Sequence, residues 1–331
     1  MDIFLLLEWA IKSVVIIVII LGGFAYLTLY ERRALARIQT RIGPNRAGPW
    51  GLLQPVADGI KLMFKEELIP EKSDKVLFIL APVITVVPAL ILLAVIPMGP
   101  DILGFKIGLA DGINVGVLYI MAVASISVYG IVIAGWASNN KYALLGGLRA
   151  SAQMVSYELS LALSFVGPIL LANSMSVREI VIAQKGLWYI FLQPLGFLIY
   201  LLAAVAEINR APFDMPEAEQ ELIAGYHVEY SGLKFALFFM AEYGKMIVIC
   251  FIGATLFLGG YWGPFVDQAP LLGPIYLFVK VIILLFVLIW IRATFPRIRY
   301  DRLMAFGWKI MLPAALFNVV LTAVIVLLGG G

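Results

Sequence analysis

The stretch AEINRAPFDMPEAEQELIAGYHVEYSG, Ala206 to Gly232, lies between two apolar runs, 187–206 and 234–259. Each run is long enough to cross a bilayer, whose hydrocarbon core of about 30 Å takes roughly 20 apolar residues of helix. Between them stand six acids, Glu207, Asp214, Glu217, Glu219, Glu221 and Glu229, with Arg210 as the one Lys or Arg. Read as a connection between two membrane helices, the stretch makes the chain a polytopic membrane protein and leaves an excess of acid to be explained.

Pro212 and Pro216 forbid one continuous charged helix through the stretch, because each lacks a backbone donor and disfavours helix at the residue before it. The first span is expected to end near Arg210, with a turn at Ala211-Pro212-Phe213. A new short helix then starts at Asp214 as N-cap, with Glu217 in the reciprocal position of a capping box, and stops at Gly225. On that helix Glu217 and Glu221 share a face and Glu219 points elsewhere.

The same apolar length recurs outward along the chain, at 12–30, 76–97, 116–137, 152–172, 187–206, 234–259, 274–292 and 310–328. With 62% hydrophobic and 14% charged residues, the composition departs from the roughly 45–50% apolar and 25% charged norm of soluble domains. The expected fold class is all-α, a polytopic membrane protein with about eight transmembrane helices and a cytoplasmic amphipathic helix, forming a single membrane domain over 1–331. The first span reads as uncleaved, since its leader carries Asp2 and Glu8 and Glu31-Arg32-Arg33 follow it directly. Eighteen of the 24 Lys and Arg fall in or beside the connections 31–75, 138–151, 207–233 and 293–309, and four on the opposite face. By the positive-inside rule those connections are cytoplasmic and both termini lie outside, in the inner membrane of a bacterium or an organelle's equivalent. The net charge of +3 is concentrated beside the spans and calls for no nucleic-acid partner.

In the first connection the turn-rich segment Gly43 to Pro49 precedes Leu52, Leu53, Val56, Ile60, Met63 and Phe64 at helical spacing, with Asp58, Lys61 and Lys65 on other faces. This amphipathic helix is either a brace lying in the membrane interface or one wall of a site reached from the membrane. The last connection, Ile291 to Lys309, is basic and aromatic; most of its arginines suit anionic lipid, while Arg292 and Arg297 can also face partners or acids.

Ionisable groups inside spans cost on the order of 3 kcal/mol at the bilayer centre and default to functional roles. Glu158 lies about two turns into the fourth span and Glu242 about two turns into the sixth, with Lys245 a turn beyond it on the same face; Glu207 ends the fifth. Carboxylates without water and close to one another hold their protons more tightly, so three at similar depth suit a proton path. A purely structural arrangement would pair Glu242 with Lys245 and Glu207 with Arg210, and use Glu158 as a helix cap. The remaining acids would then meet arginines from elsewhere, such as Arg32, Arg41 or Arg292, or share protons. Cys250 and His227 are the only Cys and His, too few to ligate an iron–sulfur cluster or a structural zinc. No nucleotide-binding glycine motif is present.

Several long motifs in order, YERRALARIQTRIGPNRAGPWGLLQPVADGIKLMFKE, GWASNNKYALLGGLRASAQMVSYE, AEINRAPFDMPEAEQELIAGYHVEYSG, FALFFMAEY and IRATFPRIRYDRLMAFGWK, resemble the H-subunit (mitochondrial subunit 1) family of respiratory complex I, the proton-pumping NADH–quinone oxidoreductase. The resemblance runs nearly end to end. It implies a bundle at the junction of the membrane and peripheral arms that helps form the quinone chamber. It places Glu31, Arg32, Arg41, Asp58, Phe239 and Arg292 near the quinone tunnel. It makes Glu158, Glu207, Asp214, Glu217, Glu219, Glu221, Glu229 and Glu242, with Tyr157, Arg210 and Tyr243, members of an acidic relay toward the proton channels. It also implies that this chain binds no cofactor alone, that quinone is substrate, and that iron–sulfur clusters, FMN and NADH sit on partner subunits. The implied partners are the terminal iron–sulfur subunit, the peripheral quinone-site subunit, small membrane subunits and lipids. Two alternatives remain: the homologous anchor of a membrane-bound hydrogenase or a ferredoxin- or plastoquinone-linked complex, and a free-standing transporter, for which the expected pair of broken helices in an inverted repeat is not seen.

Overall fold

The computed structural model describes residues 3–101, 108–110, 112–214 and 225–329, and every regular element among them is helical. In chain order these are α1 (Ile3–Ile38), α2 (Gln54–Phe64), α3 (Lys75–Leu92), α4 (Gly116–Ala137), α5 (Lys141–Ala172), α6 (Val177–Ala183), α7 (Tyr189–Leu192), α8 (Pro194–Glu207), α9 (Gly232–Phe257), α10 (Leu272–Thr294), α11 (Tyr300–Phe306) and α12 (Leu312–Gly329), with short 3-10 turns and a π-helical turn between some of them. Seven helices among the described residues are long and apolar enough to cross a membrane, and α8 is a shorter apolar one. Each of the eight apolar windows falls on one of these eight. Helix α2 is the expected amphipathic helix, and its Val56, Ile60, Met63 and Phe64 stay exposed.

The boundaries differ from expectation at several ends. Helix α1 runs on to Ile38, so Glu31 and Arg32, expected in a connection, stand on its last turns; Arg, Ala and Leu are strong helix formers and the next Gly or Pro is Gly43. Helix α5 starts ahead of its apolar window, where the Asn140 side chain accepts a hydrogen bond from the Tyr142 N–H at 2.9 Å. The last membrane helix begins at Tyr300 and continues through a π-helical turn at Gly307–Met311. The fifth window is interrupted at Gln193, because Pro194 cannot donate to the preceding turn and begins α8 afresh.

Helix α9 is the most enclosed of the long helices. It packs against α1, α3 and α10, while α3, α4, α5 and α8 follow one another in contact and α12 leans on α5. Small residues set the closest crossings. A Cβ at Gly135 of α4 would lie 2.7 Å from the Ala143 carbonyl oxygen of α5, and one at Gly146 of α5 would lie 2.6 Å from the Cα of Gly225. The second contact seats the end of the acidic connection directly on α5.

One buried cation is fully explained by structure. Lys280 of α10 donates to the carbonyls of Leu258, Gly260 and Trp262 at 2.6, 2.8 and 2.7 Å, just past the end of α9, and its ammonium lies 4.4 Å from the Trp188 ring centroid. It satisfies carbonyls that the helix end leaves open.

Candidate functional site

Arg210 follows α8 in the turn that begins the acidic connection, closed by the Phe213 N–H donating to the Arg210 carbonyl at 2.8 Å. Its side chain turns into the bundle and is 8% exposed. Arg210 Nη1 donates to Glu31 Oε2 of α1 at 2.6 Å, Nε donates to Glu242 of α9, and the guanidinium lies over the Tyr243 ring at 4.1 Å. The other oxygen of Glu31 accepts from Arg292 of α10. Two arginines and two carboxylates from four segments therefore balance in charge at one point. Burial pulls against the Arg210 charge, but Glu242 and Glu31 outweigh it and hold the guanidinium well above its ordinary range. Arg210 stays charged, and any change at the site must act on its partners.

One residue along α1 from Glu31, Arg32 donates to Asp58 Oδ2 of α2 at 2.8 Å, and Gln54 steadies the other oxygen at 3.3 Å. This pair ties the amphipathic helix to the end of α1. Phe239 stacks toward Tyr243 one turn along α9, ring centroids 6.1 Å apart. Of the residues expected near quinone, Glu31, Arg32, Asp58, Phe239 and Arg292 thus lie on or next to the Arg210 cluster. Arg41 lines an open basic cleft with Arg33, Arg37 and Trp50 and shares an adjoining one with Arg32.

Deeper in the bundle, Glu207 at the end of α8 is 5% exposed, and its Oε2 has no hydrogen-bond partner among the described residues. Glu158 of α5 accepts from the hydroxyl of Ser125 on α4. Lys245 of α9 is in electrostatic reach of Glu207, Glu242 and Glu158, so the three in-span acids do converge on one region. The structural pairings considered from sequence are not the ones formed. Glu242 meets Arg210 rather than Lys245, Glu207 makes no ion pair with Arg210, and Glu158 caps no helix. Among the described residues, Arg32 pairs with Asp58 and Arg292 with Glu31. The Arg210 side chain is directed at α1 and α9 instead of at Glu207.

Tyr157 is fully buried, and its hydroxyl donates to the Leu303 carbonyl at 2.9 Å, so it braces the last membrane helix rather than facing the acids. Glu229 accepts from Asn140 Nδ2 at 2.6 Å, and Asp214 ends the first described part of the connection. Glu217, Glu219 and Glu221, with the short helix expected between Asp214 and Gly225, lie outside the described residues. His227 is buried edge-on against Tyr226 and Phe235; burial drives its pKa down to about 4, so it is neutral near pH 7. Sequence reading overlooked Ser125, Asn140 and Gln153, the last of which donates from α5 to the carbonyls of Ala206 and Phe213 at 2.9 and 2.8 Å. Their one signal is an uncharged polar side chain in or beside an apolar run, which is common and carries little weight alone.

The NADH dehydrogenase family profile matches residues 11–323. The chain is 51% identical to the NADH-quinone oxidoreductase H subunit 2 of Geobacter metallireducens, with 96% of this chain and 94% of the relative covered. It is 50% identical to the NADH-quinone oxidoreductase H subunit of Thermomicrobium roseum over 96% and 95% of the two chains, and 53% identical to that of Rhodospirillum rubrum over 95% and 92%. The motifs around Glu31, Arg210 and Glu242 thus lie within an end-to-end likeness, and the chain belongs to the H-subunit family of NADH-quinone oxidoreductase, as a membrane subunit of that enzyme.

Proposed function

We propose that this chain contributes to the quinone chamber and couples quinone reduction to proton translocation through its buried acids. The observation that carries the reading is the Arg210 cluster, in which a single guanidinium bonds Glu31 and Glu242 at once. Glu31 and Arg292, with the Arg32–Asp58 pair and Phe239 beside them, face the quinone; Arg41 extends the basic lining. Quinone reduction takes up protons and creates transient negative charge. In a site of low dielectric such a charge is worth several kcal/mol, enough to redistribute a guanidinium between two carboxylates. When Arg210 leans toward the quinone side, Glu242 loses its counter-ion.

Glu158, Glu207 and Glu242 then carry the proton through the bundle, with Asp214, Glu217, Glu219, Glu221 and Glu229 as the acids of the connection that feed it. Tyr243 fixes the guanidinium from below. Tyr157 supports the path by holding the last membrane helix. One buried Cys and one His do not make a ligand set for a cluster, so iron–sulfur clusters, FMN and NADH are assigned to partner subunits, among them the terminal iron–sulfur subunit and the peripheral quinone-site subunit. The chain sits in a bacterial inner membrane with both termini outside, beside small membrane subunits and lipid.

The test is Glu207→Gln in the assembled complex, reconstituted in proteoliposomes. The substitution keeps shape and removes the exchangeable proton. Proton translocation is expected to stop and quinone reduction to slow; normal rates of both would sink the relay.

A further inference from the structure

Two cavities flank one residue of α9. The first, of about 20 Å³, is bounded by Thr85, Asn209, Tyr226 and Glu242 and lies at the end that carries the acidic connection. The second, of about 30 Å³, is bounded by Glu207, Ser127 and Tyr200 within otherwise apolar walls. Lys245 lines both, and no other described residue does. We propose that Lys245 is the proton carrier between them, taking a proton on the Glu242 side and delivering it to Glu207. This rests on the relay reading above and names the element that relay lacks, a group able to serve both sides of the partition.

The geometry supplies three reasons. First, the Lys245 ammonium makes no hydrogen bond or ion pair with the described residues, because Glu242, one turn before it, is already engaged by Arg210. It nonetheless lies within the electrostatic influence of Glu207, Glu242 and Glu158. Second, Glu207 Oε2 is buried without a partner among the described residues, an acceptor ready for an N–H. Third, the side-chain type suits proton carriage. A lysine ammonium on a flexible four-carbon stem can swing between two acceptors and give up its proton when desolvated, which a guanidinium does not. The contrast with Lys280, whose ammonium is pinned by three carbonyls, shows what a buried lysine looks like when its role is structural.

The step balances without any further reactant. An N–H bond at Lys245 Nζ breaks and an O–H bond forms at Glu207 Oε2, leaving a neutral amine and a neutral acid. The amine then takes a proton from protonated Glu242 in the first cavity, regenerating the ammonium and the Glu242 carboxylate, which Arg210 recaptures.

Lys245→Met, Lys245→Arg and Lys245→His would be made in the assembled complex and compared with the parent in proteoliposomes. The readout is the rate of proton translocation per quinone reduced, at matched complex content. Loss of a positioned proton carrier is expected to slow transfer by about a hundredfold, so translocation should be nearly abolished in both the Met and the Arg variants. Lys245→His can still release a proton near neutral pH and should recover part of it. Should the Met variant fail to accumulate, the Arg and His pair decides alone. Full activity in the Arg variant, or equal activity in Arg and His, overturns the proposal, since a fixed positive charge would then suffice. Glu207→Gln separates the two levels: if it leaves translocation intact, the relay itself fails. If it stops translocation while the Lys245 variants pump like the parent, only the role of Lys245 falls.

Discussion

Arg210 is the residue on which the charge balance of the site turns. Its Nε and Nη1 serve Glu242 and Glu31 separately, a two-sided grip that a single ammonium cannot reproduce. Arg210→Lys is therefore expected to preserve assembly and lower quinone reduction at least about tenfold, measured on purified complex. Arg210→Met removes the charge and leaves Glu242 without its counter-ion; breaking such a buried pair costs about 3–5 kcal/mol, which should show as reduced complex on native gels. His227 makes a different prediction, about pH. Its pKa is depressed to about 4 by burial, so the folded chain binds its proton less well than the unfolded chain, whose His titrates near about 6.5. Its contribution to stability is complete above about pH 6.5 and is lost progressively as pH falls toward 4. Across that window the difference amounts to roughly 3 kcal/mol. The melting temperature of the complex should fall over the same range, and His227→Gln should flatten the fall.

The helices show how much of this was legible in the amino-acid order, and why the remainder was not. Hydropathy located the seven membrane-length helices among the described residues and the shorter apolar α8, because burying a long apolar run in lipid overrides local preference. It misjudged ends at α1, α5 and Tyr300, where the helix runs on past its apolar window, and it missed the break that Pro194 imposes inside the fifth window. The in-span acids were legible for the same reason that the spans were: Glu158 and Glu242 are conspicuous charges in apolar runs. Their partners were not, since the Arg210–Glu31 bond joins residues 179 positions apart and no local spacing encodes it. The crossing of α5 with Gly225 is a similar long-range fact and can be tested. A Cβ at Gly146 would meet the Gly225 Cα at 2.6 Å and the Tyr226 N at 2.9 Å, both backbone atoms that cannot swing aside. Gly146→Ala should cost about 1–3 kcal/mol by overpacking and impair proton translocation by lifting the end of the acidic connection. Gly22→Ala on α1, where a Cβ meets nothing within 4 Å, is the control and should leave melting and activity unchanged or slightly improved.

Across the molecule, charge runs in one line from the exposed amphipathic helix to the enclosed centre: Asp58 to Arg32, then Glu31 to Arg210 and Glu242, then Lys245 among Glu207 and Glu158. Its outer pair is wetter than its inner cluster, since Asp58 and Arg32 are 25% and 50% exposed while Glu31 is 2% and Arg210 9% exposed. The energetic weight of each link should follow that gradient. An ion pair exposed like Arg32–Asp58 contributes about 0–1 kcal/mol to stability, so Asp58→Asn should leave assembly and melting unchanged. If its service is to hold α2 against α1 at the mouth of the quinone chamber, the loss will appear in function instead, as a raised KM for quinone with a nearly unaltered kcat, because the chemistry lies beyond it. Opposite behaviour, a lowered kcat at unchanged KM, would place Asp58 inside the coupling path and extend the buried relay outward to the surface of α2.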